Sequence, residues 1–317
     1  MSYLPTGLHV VLLTIACSDG FLFDVKTDCL VTSWSSWAEM PGLDVHIRER
    51  GILRHDNKGG APCPPDDELR EIKPDPHPSP LDSQIHIQAT ARSMSTNFIR
   101  REPKPGNPTQ PGHVRDLLIV LDSSGSISKS DFERTKHNLA ELMGMLCPDP
   151  DPFAQLYNHA ALLDFSNSVM EVFDFNRYHG IAALKRALLS VPQIAGRTCT
   201  TKALDAASQM LATWKGMRSD SLVDKEVLIL TDGHSNCGGD VLASALKLRG
   251  KAKVFSLLIG SFSQSGLNEI LNYVTTPAPN HLFAIKTHQG LDQLMSLLRS
   301  QSSLVPCMPF DLPSNSG

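Results

Sequence analysis

The second half of the chain predicts an α/β fold with a doubly wound, mainly parallel sheet and helices on both faces. From residue 116 onwards, short apolar runs of strand character alternate with runs in which apolar residues recur at helical spacing. Such alternation is typical of a parallel sheet whose strands are joined by helices. Two of the apolar runs end abruptly at Asp122 and Asp232. Acidic residues in that position are expected where strands reach the ligand-binding edge of an open sheet.

Each element is predicted from its own pattern. Residues 116–121 are a strand because apolar residues follow one another without interruption, and 130–146 are a helix because their apolar residues fall on one helical face. Residues 160–165 and 168–173 fit a hairpin around a Ser-Asn turn, which supplies an antiparallel edge. The remaining predicted elements are helices at 181–189, 202–214, 241–248, 267–274 and 291–298 and strands at 226–230, 252–259 and 281–285.

The turn after the first strand carries the chemistry that says most about function. Asp122 is followed by Ser124 and Ser126 at alternate positions on a glycine-containing turn. One carboxylate and two hydroxyls can converge on one point, and Mg²⁺ prefers such hard oxygen ligands while keeping several waters. Asp-Ser-Ser-Gly-Ser is also ordinary turn composition, so an unremarkable loop is the alternative.

Two later segments favour the metal site. Thr198 follows a glycine just before a helical pattern, and Asp232 ends a second apolar strand within Thr-Asp-Gly. Together the three segments resemble the metal-ion-dependent adhesion site of a von Willebrand factor type A domain. The resemblance implies that one Mg²⁺ (or Mn²⁺ or Ca²⁺) is bound by Asp122, Ser124, Ser126, Thr198 and Asp232. It also implies that an acidic residue of a protein partner completes the coordination. A site that only orders the surrounding loops is the alternative.

The first 20 residues are predicted to be a secretory signal peptide. Residues 8–16 form a short, mainly apolar core, followed by small residues. The leader lacks a basic start, and a disordered apolar tail is the alternative. No other window is apolar enough to predict a membrane span. A net charge of −4 gives no reason to expect binding to nucleic acid. We therefore expect a secreted, extracellular protein.

Export makes disulfide bonds the default state of the six cysteines that follow the leader. Cys199 lies next to Thr198, and Cys237 lies shortly after Asp232. Asp122, Thr198 and Asp232 are expected at one carboxyl edge of the sheet, here called the metal edge. If both loops approach one cation there, these two cysteines come close enough to form a bridge across the metal edge. The pairing of Cys147 and Cys307, with each other or outside the chain, stays open.

Residues 26–73 are predicted to be a small module. Trp34 and Trp37 can stack against the guanidinium groups of Arg48 or Arg50. The order of cysteine, tryptophan pair, arginine pair, glycines and cysteine resembles a thrombospondin type 1 repeat. The resemblance implies three strands, a contact with glycosaminoglycan and, because other cysteines of the pattern are missing, a single bridge. That bridge would join Cys29 and Cys63. A disordered, aromatic-containing spacer is the alternative.

The predicted domain order is then complete. Residues 74–114 are rich in Pro, Ser, Asp and Lys and predict a flexible linker, 115–300 form the type A domain, and 301–317 form a tail.

The sequence argues against an enzyme, because Gly-x-Ser-x-Gly and phosphate-binding-loop patterns are absent from it. We expect an adhesion or extracellular matrix-type protein that binds an acidic protein partner, either a matrix protein or a collagen-like one. Two alternatives stay open: a structural or assembly module that does not use metal, and a complement-like regulatory chain that docks a protease.

Overall fold

The computed structural model describes residues 26–78, 80, 82–99, 114–147, 157–178, 180–221, 223–233, 235–260, 263–300 and 309–310. The predicted leader and most of the predicted tail lie outside the described residues. The strands are β1 Leu30–Val31, β2 Ala38–Met40, β3 Val45–Glu49, β4 Ile52–Arg54, β5 Arg70–Pro74, β6 Val114–Asp122, β7 His159–Phe165, β8 Val169–Phe173, β9 Val223–Thr231, β10 Lys253–Ile259 and β11 Leu282–Ile285. The helices are α1 Gln84–Met94, α2 Lys129–Met145, α3 Ile181–Leu189, α4 Thr200–Met210, α5 Val241–Arg249, α6 Gln264–Tyr273 and α7 His288–Ser300.

A six-stranded sheet in the order β11-β10-β9-β6-β7-β8 forms the centre of the fold. Neighbouring strands are parallel except at one edge, where β8 pairs with β7 in antiparallel fashion. The fold class predicted from the sequence is therefore confirmed.

The central strand β6 shows why this sequence forms a sheet covered on both faces. Every residue of β6 is buried. Leu117 and Ile119 face a core shared with α2, α3 and α7, whereas Leu118 and Val120 face a core shared with α4, α5 and α6. Successive residues of a strand point to opposite faces, so an uninterrupted apolar run fills both cores. The polar end of β6, at Asp122, is thereby fixed at the carboxyl edge of the sheet.

The N-terminal part of the chain is divided between two compact units, which differs from the single module predicted over 26–73. Residues 26–33 and 50–64, with the antiparallel pair β1–β4 and the Cys29–Cys63 disulfide, form one unit. Residues 34–49 belong to the other unit together with the α/β sheet. Within that second unit, β2, β3 and β5 form a three-stranded antiparallel sheet.

The reason for this division lies in where the apolar side chains of the small sheet are buried. Met40, Leu43, Val45 and Ile47 are buried in the same core as residues of α5, α6 and β11. A segment this small has too few apolar residues to form a core of its own. The three-stranded sheet therefore depends on the core of the α/β domain.

The prediction of a flexible linker over 74–114 is wrong for residues 84–99. That stretch forms α1 and a single π-helical turn, Ser95–Ile99. Ile87, Met94 and Phe98 are buried in the core on the α7 side of the sheet. The helix has no clear apolar periodicity in the sequence because several residues on its buried face, such as His86 and Thr90, are polar. The residues between 99 and 114 lie outside the described part.

Segments from the N-terminal half cover the β11 edge of the large sheet. The Thr90 hydroxyl donates a hydrogen bond to the Ala284 carbonyl of β11 (3.2 Å). A Cβ added at Gly42 would lie 2.4 Å from the same carbonyl oxygen, so only glycine allows this approach. Just beyond β11, Lys286 forms an ion pair with Asp44. An edge strand that would otherwise be exposed is thereby protected.

Candidate metal centre

The buried carboxylate of Asp122 stands at the end of β6 and is only 1% exposed. Its two oxygens accept hydrogen bonds from different elements. The Ser124 amide donates to Oδ1 (2.8 Å), and the Thr231 hydroxyl at the end of β9 donates to Oδ2 (2.8 Å). These two bonds fix the orientation of the carboxylate at the carboxyl edge of the sheet.

The two serine hydroxyls of the turn converge beside Asp122. Ser124 Oγ and Ser126 Oγ lie 3.0 Å apart, with Ser124 buried and Ser126 exposed. The turn is tied to the next loop because the Gly125 amide donates to the Gly196 carbonyl (2.8 Å). The site thus has a buried side and a side open to solvent.

Thr198 is brought to the same edge by a tightly packed loop. A Cβ added at Gly196 would lie 2.1 Å from Asn167 Oδ1, so a larger residue there would have to displace the Asn167 side chain. The Thr198 amide donates to Asn236 Oδ1 (3.0 Å), and the Asn236 amide donates back to the Thr198 carbonyl (3.0 Å). The loop after β9 therefore holds Thr198 through both its backbone amide and its backbone carbonyl group.

A disulfide between Cys199 and Cys237 joins the same two loops, with their Cα atoms 4.9 Å apart. Cys147 is also disulfide-bonded, although its partner is not among the described cysteines. The Cys199–Cys237 bond and the Thr198–Asn236 hydrogen bonds act on adjacent residues. Relative movement of the Thr198 loop and the loop after β9 is restricted by covalent and polar links together.

Electrostatics at the site favour a cation. Burial, and secondly repulsion from the half-buried Asp232, raises the pKa of Asp122 to about 6. Burial, with a smaller contribution from Asp122, also raises the pKa of Asp164 on β7 to about 7. Acidic groups held this close in a poorly solvated place destabilise one another when they are ionised. A divalent cation between Asp122 and Asp232 would offset that repulsion.

The donor set matches a hard divalent cation better than a zinc site built from cysteine and histidine. Two carboxylates and three hydroxyls supply oxygen only, which suits Mg²⁺, Mn²⁺ or Ca²⁺. Among the described residues, no three His, Cys, Asp or Glu side chains are grouped as metal ligands. A metal at this edge of the sheet would therefore depend on the hydroxyl groups of Ser124, Ser126 and Thr198 in addition to the two carboxylates.

Several residues that support the site were not identified from the sequence. Thr231 and Asn236 act through hydrogen bonds to Asp122 and Thr198, and Asp164 lies buried on the neighbouring strand. His288, at the start of α7, has its Nδ1 atom 3.9 Å from a carboxylate oxygen of Asp131 at the start of α2. Only Thr231, which lies within the Thr-Asp-Gly motif, carried a signal in the sequence.

The tryptophans predicted to stack with arginine, Trp34 and Trp37, precede the proposed metal ligands by many residues in the sequence. The Arg48 guanidinium carbon lies 5.0 Å from the Trp34 ring centroid and 4.9 Å from that of Trp37. Lys73, which was not among the residues predicted to stack, has its Nζ atom 4.3 Å from the Trp37 ring centroid. Arg50 follows β3 and belongs to the other compact unit.

Comparison with known proteins agrees with this architecture. A family model described as the von Willebrand factor type A domain matches residues 116–297. The chain is 24% identical over 225 residues to integrin alpha-X of Mus musculus and 30% identical over 157 residues to the collagen alpha-4(VI) chain of Mus musculus. It is 23% identical over 186 residues to matrilin-3 of Gallus gallus.

These alignments cover 68%, 50% and 58% of this chain, but only 18%, 6% and 39% of the three relatives. The chain therefore spans less than half the length of these relatives.

A solved structure of proximal thread matrix protein 1 from the mussel byssus, with a zinc-occupied MIDAS motif, has a similar fold. It shares 21% sequence identity at a TM-score of 0.52, covering 59% of this chain and 47% of that one. In the described part of this chain, every helix is too short or too polar to cross a membrane. The matched family model extends over more than half of the sequence, and the chain belongs to the von Willebrand factor type A domain family.

Proposed function

We propose that the protein is a secreted, matrix-type binding protein whose A domain holds a divalent cation and through it binds an acidic residue of an extracellular partner. The observation that carries this proposal is the convergence at one solvent-open edge of the buried Asp122 carboxylate and the Ser124 and Ser126 hydroxyls, which lie 3.0 Å apart. Thr198 and Asp232 reach the same edge from the two loops that the disulfide joins.

The chemistry follows from the charges of the residues. Three of the five proposed ligands, Ser124, Ser126 and Thr198, are neutral hydroxyl groups. With these bound directly and with Asp122 and Asp232 acting mostly through bridging water, a bound Mg²⁺ (or Mn²⁺ or Ca²⁺) keeps much of its positive charge. A carboxylate from a partner is then a better ligand than water at the solvent-open position. The buried Asp122 anchors the cation, and the exposed Ser126 marks the side from which a partner approaches.

The loops are fixed before any partner binds. Thr198 is held by its hydrogen bonds to Asn236, and the neighbouring Cys199–Cys237 disulfide links the same two loops. Fixing a binding loop in advance lowers the entropy that binding would otherwise cost. We therefore expect reduction of this disulfide to weaken partner binding more than it weakens the fold.

The matrix role is supported by the relatives and by the disulfides. Collagen VI chains and matrilins are among the similar proteins. The Cys29–Cys63 and Cys199–Cys237 disulfides are typical of proteins that fold in oxidising compartments. A non-enzymatic role fits a site that offers hydroxyl and carboxylate ligands next to a solvent-open position.

We extend the proposal to the N-terminal segment as a reduced thrombospondin type 1 repeat. The support is the placement of Arg48 over both Trp34 and Trp37, with Glu71 accepting a hydrogen bond from the Arg48 Nε (2.7 Å). A glycosaminoglycan contact would rely on Lys73, since Arg48 is already paired with Glu71.

A capture experiment tests the binding function. The full chain is immobilised and exposed to extracellular matrix extract and to plasma, once with Mg²⁺ and once with EDTA. We expect proteins that are retained in Mg²⁺ and released by EDTA, and their loss with Asp232→Ala but not with Asp56→Ala, an exposed aspartate of the other unit.

Other outcomes identify the alternatives. Capture that EDTA and Asp232→Ala both leave unchanged would favour a structural or assembly module that does not use metal. A protease retained tightly or covalently would favour a complement-like regulatory chain. Either result would contradict the metal-dependent function.

A further inference from the structure

Charge is distributed unevenly along the edge that carries the proposed metal ligands. β7 and β9 lie on opposite sides of β6, so the groups at their ends lie on opposite sides of Asp122. On the β9 side stand the carboxylates of Asp232 and of Glu269, which accepts a hydrogen bond from the Ser235 amide (2.8 Å). On the β7 side stand two cations, Arg197 and Lys202, at the surface, while the Asp164 carboxylate of β7 itself is fully buried.

The two cations are placed on the β7 side by contacts with the β7–β8 turn. The Ser166 hydroxyl donates to the Arg197 carbonyl (2.9 Å) and accepts from the Gly196 amide (2.7 Å). Lys202, in the first turn of α4, donates to the Asn167 carbonyl (2.9 Å). The backbone that carries Arg197 is therefore fixed directly beside the proposed ligand Thr198.

Arg197 differs from most of the described arginines in that its side chain has no partner within the described part of the chain. Arg48 and Arg134 are paired with carboxylates, and Arg218 is paired with the buried Asp116. The side chain of Arg197 is exposed, and within the described residues its guanidinium group forms neither an ion pair nor a hydrogen bond. All its donors are thus available to a partner.

We infer that the partner presents two acidic groups, one to the cation and the other to the guanidinium group of Arg197. This inference rests on the proposed metal-dependent function and specifies the kind of ligand. A second carboxylate on the β9 side would meet Asp232 and Glu269, whereas on the β7 side it meets Arg197. Complementary charge of this kind sets the orientation of a bound ligand.

Arginine suits this role because its planar guanidinium group can donate two parallel hydrogen bonds to one carboxylate. Lys202 already donates a hydrogen bond to the Asn167 carbonyl. Its main contribution to ligand binding is therefore its positive charge, not a hydrogen bond. We therefore assign the recognition of the second acidic group to Arg197.

Synthetic peptides on one glycine-serine scaffold test this inference. One peptide carries a single glutamate, and the others carry a second glutamate at increasing separations from the first. Binding to the immobilised full chain is measured by surface plasmon resonance in Mg²⁺ and in EDTA. We expect the best two-glutamate peptide to bind about three to ten times more tightly than the single-glutamate peptide.

Variants assign that preference to one residue. Arg197→Gln should bring the affinity ratio of the two peptides close to one, with unchanged affinity for the single-glutamate peptide and for Mg²⁺ alone. Arg197→Lys should keep part of the preference. Arg92→Gln is the matched control, because Arg92 is exposed on α1 and makes no ion pair with a described residue.

The possible failures are distinguishable. Peptide binding that is absent, or that EDTA does not abolish, overturns the proposed function and this inference with it. Metal-dependent binding without a preference for two glutamates, or a preference that survives in Arg197→Gln, overturns the inference alone.

Discussion

The metal edge and the β11 edge of the same sheet are built in opposite ways. At the metal edge, polar residues from short motifs converge, and Asp122, Ser124 and Ser126 lie within one turn. At the β11 edge, residues far apart in the chain meet, such as Thr90 and Ala284. The first arrangement places polar groups beside a solvent-open position, whereas the second buries apolar side chains. We therefore expect binding and stability to depend on separate sets of residues.

The largest expected effect comes from the buried end of the α1 segment. Phe98 is 1% exposed, and its ring centroid lies 5.0 Å from that of Phe255. Phe98→Ala should lower the free energy of unfolding by about 3–5 kcal/mol, because it removes buried apolar area and leaves a cavity. Urea denaturation measures the loss, and Mg²⁺ affinity of the folded fraction should not change.

Ile85→Ala is the control for this prediction, since Ile85 lies on the same helix but is 73% exposed. A loss below about 1 kcal/mol for Phe98→Ala would mean that α1 is not part of the folded core.

The next effect is a pH dependence that belongs to the metal edge. The pKa of Asp122 is raised to about 6, above the value near 3.9 expected in the unfolded chain. Between these values the folded state binds more protons, so the stability of the metal-free protein falls as pH rises. The part of this fall that Asp122 causes should be about 3 kcal/mol once the pH is well above 6, and the raised pKa of Asp164 adds to it.

Urea denaturation in EDTA across this pH range measures that fall. Asp122→Asn should lack this component of the pH dependence, and excess Mg²⁺ should reduce it in the unmodified protein. Equal pH profiles for Asp122→Asn and the unmodified protein would show that Asp122 is not held in a raised-pKa state.

A smaller effect should follow from cutting the polar link between the start of α1 and α7. Asp82 accepts hydrogen bonds from the Lys286 amide (2.8 Å) and from the Thr287 hydroxyl. Asp82→Ala leaves both donors without this acceptor and should cost about 1–3 kcal/mol. Asp82→Asn, which keeps one carbonyl oxygen, should lose less. Urea denaturation measures both losses, and a larger loss for Asp82→Asn than for Asp82→Ala would contradict the role given to these hydrogen bonds.

The smallest effect belongs to the tryptophan cluster. Lys73 lies over Trp37 at the surface, and a cation–π contact of this type contributes about 0.5–1 kcal/mol. Lys73→Met should lower the unfolding free energy by that amount, and Lys247→Met, on the exposed face of α5, should not change it. An equal change in unfolding free energy for the two variants would show that the cation–π contact does not stabilise the fold.

The same contrast explains what the sequence could predict. The proposed metal ligands could be picked out from the sequence because each stands in a local motif, either where an apolar strand ends or in a glycine turn before a helix. The closeness of Cys199 and Cys237 was argued from those motifs, because two loops that share one cation must converge. Asp164 was missed because a single acidic residue inside an apolar strand gives no sign of which strand will lie beside it.

The covering of the β11 edge could not be predicted in this way. Gly42 and Thr90 give no local sign that they will approach a strand about two hundred residues later. The buried face of α1 mixes His86 and Thr90 with Ile87 and Met94, so its pattern resembles a polar linker. Tertiary packing decides the structure of such segments.

Calorimetric titration with Mg²⁺ determines whether Asp122, Ser124, Ser126, Thr198 and Asp232 form one cation site. We expect saturable binding of one Mg²⁺ to the full chain. Asp232→Ala should lose that binding with little change in the unfolding free energy, and Asp56→Ala should keep it. Mg²⁺ affinity that is the same in Asp232→Ala and in the unmodified protein would contradict the assignment of the site.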